Sequence, residues 1–402
     1  MGKVLKITAR QPHKYYAVDK LPPKTVVEFF AGIGLMRMGL EKAGWKTILA
    51  NDIDPLKLEM YSCQFGDEIN HFILRDIHKL TPEEIPTATL ATASFPCTDL
   101  SLAGGRKGLS GAQSSAFWGF INVIKAMGRR RPRFLLIENV TGFLTSHQGK
   151  DFQEALLALN KLGYGVDPFI IDAARFVPQS RQRLFVAGIL RDGRSAESKR
   201  SFGFYESEAR PKALADFIFN HPEIDWALVN LPPLPKLRMV VDDILEDLPA
   251  SSELWWSLDR VDYLLAQMSI KHRAIADKMI GARRWSYGTV FRRVRNEKSM
   301  AELRVDGIAG CLRTPKGGSG RQILFKGGYG KAMARLLSPR ECARLMGADD
   351  FKIEAPLNQA LFGFGDAVCV SVVEWIAKNY FDPLILRTMP GSYVAPKELA
   401  TA

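Results

Sequence analysis

From residue 24 to about residue 190, short apolar, β-rich runs alternate with amphipathic stretches of helical period, and this rhythm constrains the fold more than any other feature of the chain. Strands separated by helix-length connections pair in parallel, and a parallel sheet has to be covered on both faces by its own crossover helices. Strands are predicted at 25–30 (TVVEFF), 47–51 (TILAN), 90–94, 134–137 (FLLI), 169–172 and 184–190, with helices at 35–42, 55–65, 116–127 and 151–162. The fold class is therefore α/β, a doubly wound, Rossmann-like open sheet. Near residue 191 the alternation stops, and Gly, Pro, charged residues and isolated aromatics replace it until about 334. Helical signals return at Ser338-Pro339, with Glu341 at the third helical position, and again at 368–378. Three segments follow: an α/β domain at 1–190, a second, smaller irregular domain at 191–334, and a C-terminal segment at 335–402.

The 402-residue chain carries 55 Lys and Arg against 43 Asp and Glu, a formal charge of +12. Residues 271–335 hold 16 of the basic and 4 of the acidic side chains, which leaves 39 of each elsewhere. All the excess charge lies in one stretch of the irregular region, and a neutral body with one strongly positive segment points to a polyanionic partner, most simply nucleic acid. The five cysteines, Cys63, Cys97, Cys311, Cys342 and Cys369, form no C-x-x-C pair and no Cys/His cluster at zinc spacing. Neither a disulfide framework nor a metal site is expected. No uninterrupted apolar run approaches the roughly 20 residues of a membrane helix, and residues 1–10 lack the apolar core of a secretory signal. The expectation is a cytoplasmic protein with no membrane partner.

Several strand ends carry residues suited to chemistry. Phe30-Ala31-Gly32-Ile33-Gly34 follows the first strand and opens the first helix, where glycines let backbone approach a ligand; a tight turn uses the same pattern. Asp52, 18 residues beyond Gly34, ends the second strand beside Ile53, and a carboxylate there can accept hydrogen bonds from ribose hydroxyls. Asp76-Ile77 follows the apolar segment 72–74 and can hold an adenine amino group and ring, or be a surface Asp beside a core Ile. Pro96-Cys97 lies at the carboxyl end of the strand 90–94, ahead of a segment, 103–115, with four glycines. A thiolate there suits a nucleophile under a closing loop. Glu138 ends a buried strand, where desolvation favours the protonated acid, unless it serves as a cap or ion-pair partner. In 179–183 (QSRQR), period two places Gln179, Arg181 and Arg183 on one face, suited to an oxygen-rich or anionic group.

Taken in order, F-x-G-x-G, Pro-Cys, Glu-Asn-Val, Q-x-R-x-R, a variable basic region and R-x-L-x-x-R-E-x-A-R-x-M-G (335–347) resemble the cytosine-5 methyltransferases, over roughly 25–190 and 335–378. The resemblance implies a Rossmann-like S-adenosylmethionine-dependent methyltransferase domain, a target-recognition domain in the variable region, and a C-terminal segment that returns to the catalytic domain. Cytosine C5 is a poor nucleophile; by the resemblance Cys97 adds to C6 of a flipped-out cytosine, Glu138 protonates or hydrogen-bonds N3, and Arg181 holds O2. The cofactor leaves as S-adenosylhomocysteine, and no metal is needed. Phe30, Gly32, Gly34, Asp52, Ile53, Asp76, Ile77, Pro96 and Asp366 are the implied cofactor residues. Ser101 and Arg183 are expected at the DNA, with Arg292, Arg293, Arg295, Lys316 and Arg321 in the basic region mostly on phosphates.

Two positions depart from the family pattern. Gly365-Asp366-Ala367-Val368 stands where Gly-Asn-x-Val is common, and an ionised Asp366 accepts hydrogen bonds but cannot donate one. Leu361 replaces a frequent Tyr. The implied protein is a monomeric bacterial or phage modification enzyme acting on double-stranded DNA, with a cognate restriction endonuclease acting separately. Two other readings stay open. One is a tRNA cytosine-5 methyltransferase of the same fold, whose branch typically has Cys-Phe-Thr where this chain has Cys97-Thr98-Asp99. The other is a catalytically silent DNA-binding relative, against which Cys97, Glu138 and Arg181 argue.

Overall fold

The computed structural model describes residues 23–66, 68–96, 115–191, 202–295, 298–314 and 321–387; Cys97, Ser101 and Lys316 lie outside them. Seven strands form the larger sheet: β1 (Thr25–Phe29), β2 (Lys46–Asp52), β3 (Phe72–Leu74), β4 (Leu90–Ala93), β5 (Phe134–Val140), β6 (Tyr164–Asp172) and β7 (Gln182–Leu190). Their order is β3-β2-β1-β4-β5-β7-β6. β1 to β5 run parallel to one another, and β7 is antiparallel to both β5 and β6. The connections carry α1 (Leu35–Lys42), α2 (Pro55–Phe65), α3 (Ser115–Ala126), the single turn α4 (Gly142–Thr145) and α5 (Lys150–Lys161).

The near-continuous apolar strands follow from burial on both faces. In β1, Val26 joins the core beneath α1, whereas Val27 and Phe29 point into the opposite core with Phe117 and Phe120 of α3. Glu28 breaks this pattern. It is 2% exposed and its Oε2 has no hydrogen-bond partner. Burial pushes its carboxyl from 4.5 up to about 8, against the pull of the Arg37 guanidinium. An acid whose pKa is higher in the folded state stabilises fully below its unfolded pKa, and that contribution is lost as pH rises through the folded value. Glu28→Gln, which keeps the shape without the charge, is therefore expected to gain on the parent between pH 5 and 8, by about 1.4 kcal/mol per pH unit at most. Denaturant unfolding at both pH values measures this; a difference independent of pH would mean that Glu28 does not titrate there.

After β7 the chain does not leave the larger sheet at once. Helix α6 (Lys212–Asn220) and its flanks bury Ala209, Leu214, Phe217, Ile224, Trp226 and Leu234 in the two cores of that sheet. Arg210 pairs with Asp167 of β6 at 2.6 Å, and Tyr380 donates to the other Asp167 oxygen at 2.9 Å. The irregular region then holds α7 (Leu258–Ala266), α8 (Ile270–Ile280) and four antiparallel strands, β8 (Ser286–Arg295), β9 (Lys298–Arg304), β10 (Ile323–Gly328) and β11 (Lys331–Leu336), in the order β11-β10-β8-β9. This smaller sheet escapes sequence reading because strands such as SYGTVFRRVR carry charges on both faces.

Four helices end the described residues: α9 (Pro339–Leu345), α10 (Leu357–Asp366), α11 (Val370–Ile376) and α12 (Asp382–Arg387), with a π-helical turn, Ala377–Phe381, before the last. Ser338 and Glu341 cap α9 reciprocally, at 3.1 and 2.8 Å. The Glu341 carboxylate also accepts from the two terminal nitrogens of the Arg335 guanidinium, at 2.6 and 2.5 Å, and the two side chains are completely buried. The R-x-L-x-x-R-E block is thus a structural clasp. α11 lies on α1 so closely that a Cβ on Gly39 would come within 2.6 Å of Val373 Cβ. The run Leu357–Leu386 is long and apolar enough to cross a membrane by length and composition, but 67% of its most apolar window is buried in the protein, as in a core helix.

Candidate active site

β1 is the strand at which the sheet order reverses, with β2 on one side and β4 on the other, and open sheets bind ligands at the carboxyl ends of such strands. Because β3, β2, β1, β4 and β5 are neighbours, the loops beginning at Asp76, Asp52, Phe30 and Ser94 and the end of β5 at Glu138 share one sheet edge. The β1 loop is built on left-handed backbone: Phe30, Gly32 and Gly34 have φ of 58°, 56° and 87°. A Cβ on Gly34 would stand 2.3 Å from Phe65, whereas beside Gly32 the nearest atom is Lys57 Cδ at 3.9 Å, so the space there is open. Asp52 ties this loop down: Oδ2 accepts from the Gly32 N–H at 2.8 Å, and Oδ1 accepts from the Ile53 and Asp54 N–H groups at 2.8 and 3.0 Å. Ile53 next to it is 64% exposed, unusual for isoleucine.

At the β3 end, Asp76 Oδ1 accepts from the His78 N–H at 3.0 Å. The Ile77 side chain is core, 4% exposed and so close to α3 that a Cβ on Gly119 would lie 2.6 Å from it. Pro96 is exposed and ends the described part of the β4 loop immediately before Cys97.

Glu138 is 6% exposed at the end of β5. In the β5–β7 register Val140 faces Arg183, which places Glu138 diagonally beside Arg183 on one face, and Arg183 Nε lies 3.0 Å from Glu138 Oε1. Burial raises the Glu138 pKa against the opposing charges of Arg183 and Arg181 and a hydrogen bond with Ser94. Asn139 Nδ2 donates to the Phe95 carbonyl at 3.3 Å, so β5 also holds the loop that leads to Cys97.

The arginine that reaches Glu138 is Arg183, expected at the DNA; Arg181, expected at the base, is turned elsewhere. Arg181 is 2% exposed, and its guanidinium donates to the carbonyls of Leu312, Gly365 and Ala367 at 2.8, 3.1 and 2.5 Å. Gln179, also buried, donates to Leu345 O at 2.7 Å and accepts from the Leu312 N–H at 2.9 Å. The shared face predicted for 179–183 fails because β7 begins only at Gln182, so Arg181 lies ahead of the pleat. Cys311 is a neighbour that no sequence signal indicated: its Sγ is 3.4 Å from Arg181 Nη1. Burial alone would raise its thiol pKa, but the charges of Arg181, Arg183 and Arg313 outweigh it and hold the pKa below the ordinary value.

The basic-region arginines are divided by local structure. Within β8, Arg292 and Arg293 point to opposite faces. Arg292 lies over Trp256 at 5.8 Å, and Arg293 over Phe291 at 4.7 Å with Glu302 3.8 Å away. Arg295 ends the same strand. Arg321 donates to Asn358 Oδ1 at 2.7 Å, joining the smaller sheet to α10.

A family model described as C-5 cytosine-specific DNA methylase matches residues 24–382. Type II methyltransferase M.HhaI of Haemophilus parahaemolyticus is 26% identical over 359 residues, covering 88% of this chain and 93% of the relative. Type II methyltransferase M.DsaV of Dactylococcopsis salina is 29% identical over 355 residues, covering 88% and 84%. Among solved structures, the S. pombe Dnmt2 methyltransferase superposes with a TM-score of 0.57 at 20% identity, over 90% of this chain and 99% of that one. A putative DNA modification methyltransferase encoded within an E. coli prophage gives 0.54 at 19% identity, again over 90% and 99%. With nearly the whole described chain matched by the family and the strand-end residues gathered on one sheet edge, the chain belongs to the C-5 cytosine-specific DNA methylases and is a DNA (cytosine-5) methyltransferase.

Proposed function

We propose that this enzyme methylates C5 of a flipped-out cytosine within a defined double-stranded DNA sequence, using S-adenosylmethionine and a covalent adduct to Cys97. The observation that carries the reading is Glu138: a buried carboxyl with a raised pKa, paired with Arg183, at the end of the strand that neighbours β4, from which the chain runs into Pro96-Cys97. The β1 and β2 loops fit the cofactor by their chemistry: open space beside Gly32, the Asp52 carboxylate for hydroxyls, and an exposed Ile53 for an adenine face. Phe30, Gly34, Asp76, Ile77 and Pro96 complete that edge, and Asp366 faces it from α10.

The Cys97 thiolate forms a bond to C6 and displaces π electrons toward N3, where the proton of Glu138 neutralises them; C5 is then enamine-like. Bound S-adenosylmethionine supplies the electrophilic methyl group. Loss of the C5 proton to a solvent base, return of the N3 proton to Glu138 and elimination of the thiolate restore the ring and free Cys97. Arg183 holds Glu138 in place and reaches O2 of the base, whereas Arg181 positions the segment 311–314 and the end of α10. The smaller sheet with α7 and α8 is the target-recognition part, with Arg293, Arg295 and Lys316 on phosphates, Ser101 at the backbone near the extruded base, and Arg292 and Arg321 supporting the surface from within. We assign the enzyme to the cytoplasm of a bacterium, or to a phage that infects one, as a monomer with a separately acting restriction endonuclease.

Bisulfite sequencing of the genome of an expression host tests this. The expected result is one fixed sequence context with methylated cytosine; methylated tRNA over unmodified DNA would replace the reading with the RNA-directed one, and no methylation of either would favour the silent relative.

A further inference from the structure

Helices α2 and α10 face each other at the open side of the β1 loop. Gln359 Nε2 donates to Leu56 O at 3.0 Å and to Glu59 Oε2 at 3.1 Å, and a Cβ on Gly363 would come within 2.9 Å of Ile33 and Met60. This packing brings Lys57 Nζ to 3.2 Å from Asp366 Oδ2, while Asp366 Oδ1 accepts from the Thr314 hydroxyl at 2.9 Å. The Lys57 stem crosses Gly32, as the nearest neighbour of its open side. Lys57 lies in the first turn of α2, where the helix dipole disfavours a cation. Burial opposes its charge as well, yet the Asp366 and Asp52 carboxylates hold its pKa above the ordinary lysine value. The two helices are already joined by Gln359 and the Gly363 contact, so their packing does not require a half-exposed ion pair.

We propose that Lys57 and Asp366 clamp the amino-acid end of the cofactor, the Lys57 ammonium taking its α-carboxylate and the Asp366 carboxylate its α-ammonium; this rests on the cofactor reading above. A zwitterion offers two opposite charges a few bonds apart, and a fixed Lys–Asp pair presents the matching set. Asp366 alone, in place of the common Asn, would repel the ligand's carboxylate. Lys57 removes that repulsion and turns the departure into a charge-assisted contact. Thr314, by holding Oδ1, orients the carboxylate and couples the clamp to the segment that Arg181 positions.

The test is calorimetric binding to the full chain of two ligands, S-adenosylhomocysteine and 5′-methylthioadenosine, which share the nucleoside thioether and differ in the amino-acid end. Lys57→Met is expected to weaken S-adenosylhomocysteine binding roughly 10- to 100-fold, the range of hydrogen bonds to charged groups, and to leave 5′-methylthioadenosine within about twofold. Lys57→Arg, which keeps the charge, should restore most of the loss and shows that the site remains folded. Unchanged S-adenosylhomocysteine affinity, or an equal loss for both ligands, overturns the clamp. If the parent protein binds neither ligand, the cofactor reading itself falls.

Discussion

Cys97→Ser is expected to lower methyl transfer by roughly 10⁴-fold or more, the scale on which removing a covalent nucleophile acts, while S-adenosylhomocysteine affinity stays within about twofold. A serine hydroxyl has almost no alkoxide at neutral pH, so C6 is not attacked and C5 keeps its poor nucleophilicity. The loops at Phe30–Gly34 and Asp52, proposed to hold the cofactor, are anchored by backbone N–H groups that donate to the Asp52 carboxylate and do not involve residue 97, so binding should survive. Transfer of labelled methyl to DNA and calorimetric binding separate the two effects. A serine variant that methylates at the parental rate would eliminate the covalent step.

Glu138→Gln is expected to reduce the rate by about 10²- to 10⁴-fold, as general-acid removal does, without loss of fold. Glutamine can still accept from Arg183 Nε, and it is spared the burial cost that raises the Glu138 pKa. The sign of the pH effect follows. An acid with a raised folded pKa contributes stability below its unfolded pKa and loses it as pH rises through the folded one, so Gln should equal or exceed the parent in stability at neutral pH. Activity goes the other way: the parent rate, which needs the protonated acid, falls as pH rises through the elevated Glu138 value, and the variant lacks that limb. A variant rate close to the parent's, or the same alkaline limb in both, would assign the proton to another group.

How much of this was legible in the chain differs by the range of the interaction. Most elements of the α/β body are legible because their signals are local, such as the buried runs TVVEF and FLLI and the Ser338 to Glu341 cap, whereas the strand expected at 169–172 begins already at Tyr164. Period-two reasoning failed for Arg181 and Arg183, since it assumes a strand and the strand starts between them. The basic region groups Arg292 and Arg293 together as DNA-facing, whereas within β8 the pleat sends these neighbours to opposite faces. The β8–β11 sheet, two hairpins joined through β8 and β10, leaves little periodic trace in the sequence because strands such as SYGTVFRRVR carry charge on both faces.

The sequence by itself determined the parallel part of the sheet, though not the antiparallel β7 between β5 and β6, together with the order of the motifs and hence the family, because hydrophobic period and turn residues act over a few positions. Only the tertiary structure decided which arginine meets Glu138, that Cys311 lies among guanidinium groups, and that Lys57 is held against Asp366. These contacts join residues 45 to 309 positions apart, and no local rule encodes them; they arise when burying the apolar faces fixes the helices and strands against one another, leaving each polar side chain the partner that packing brings within reach.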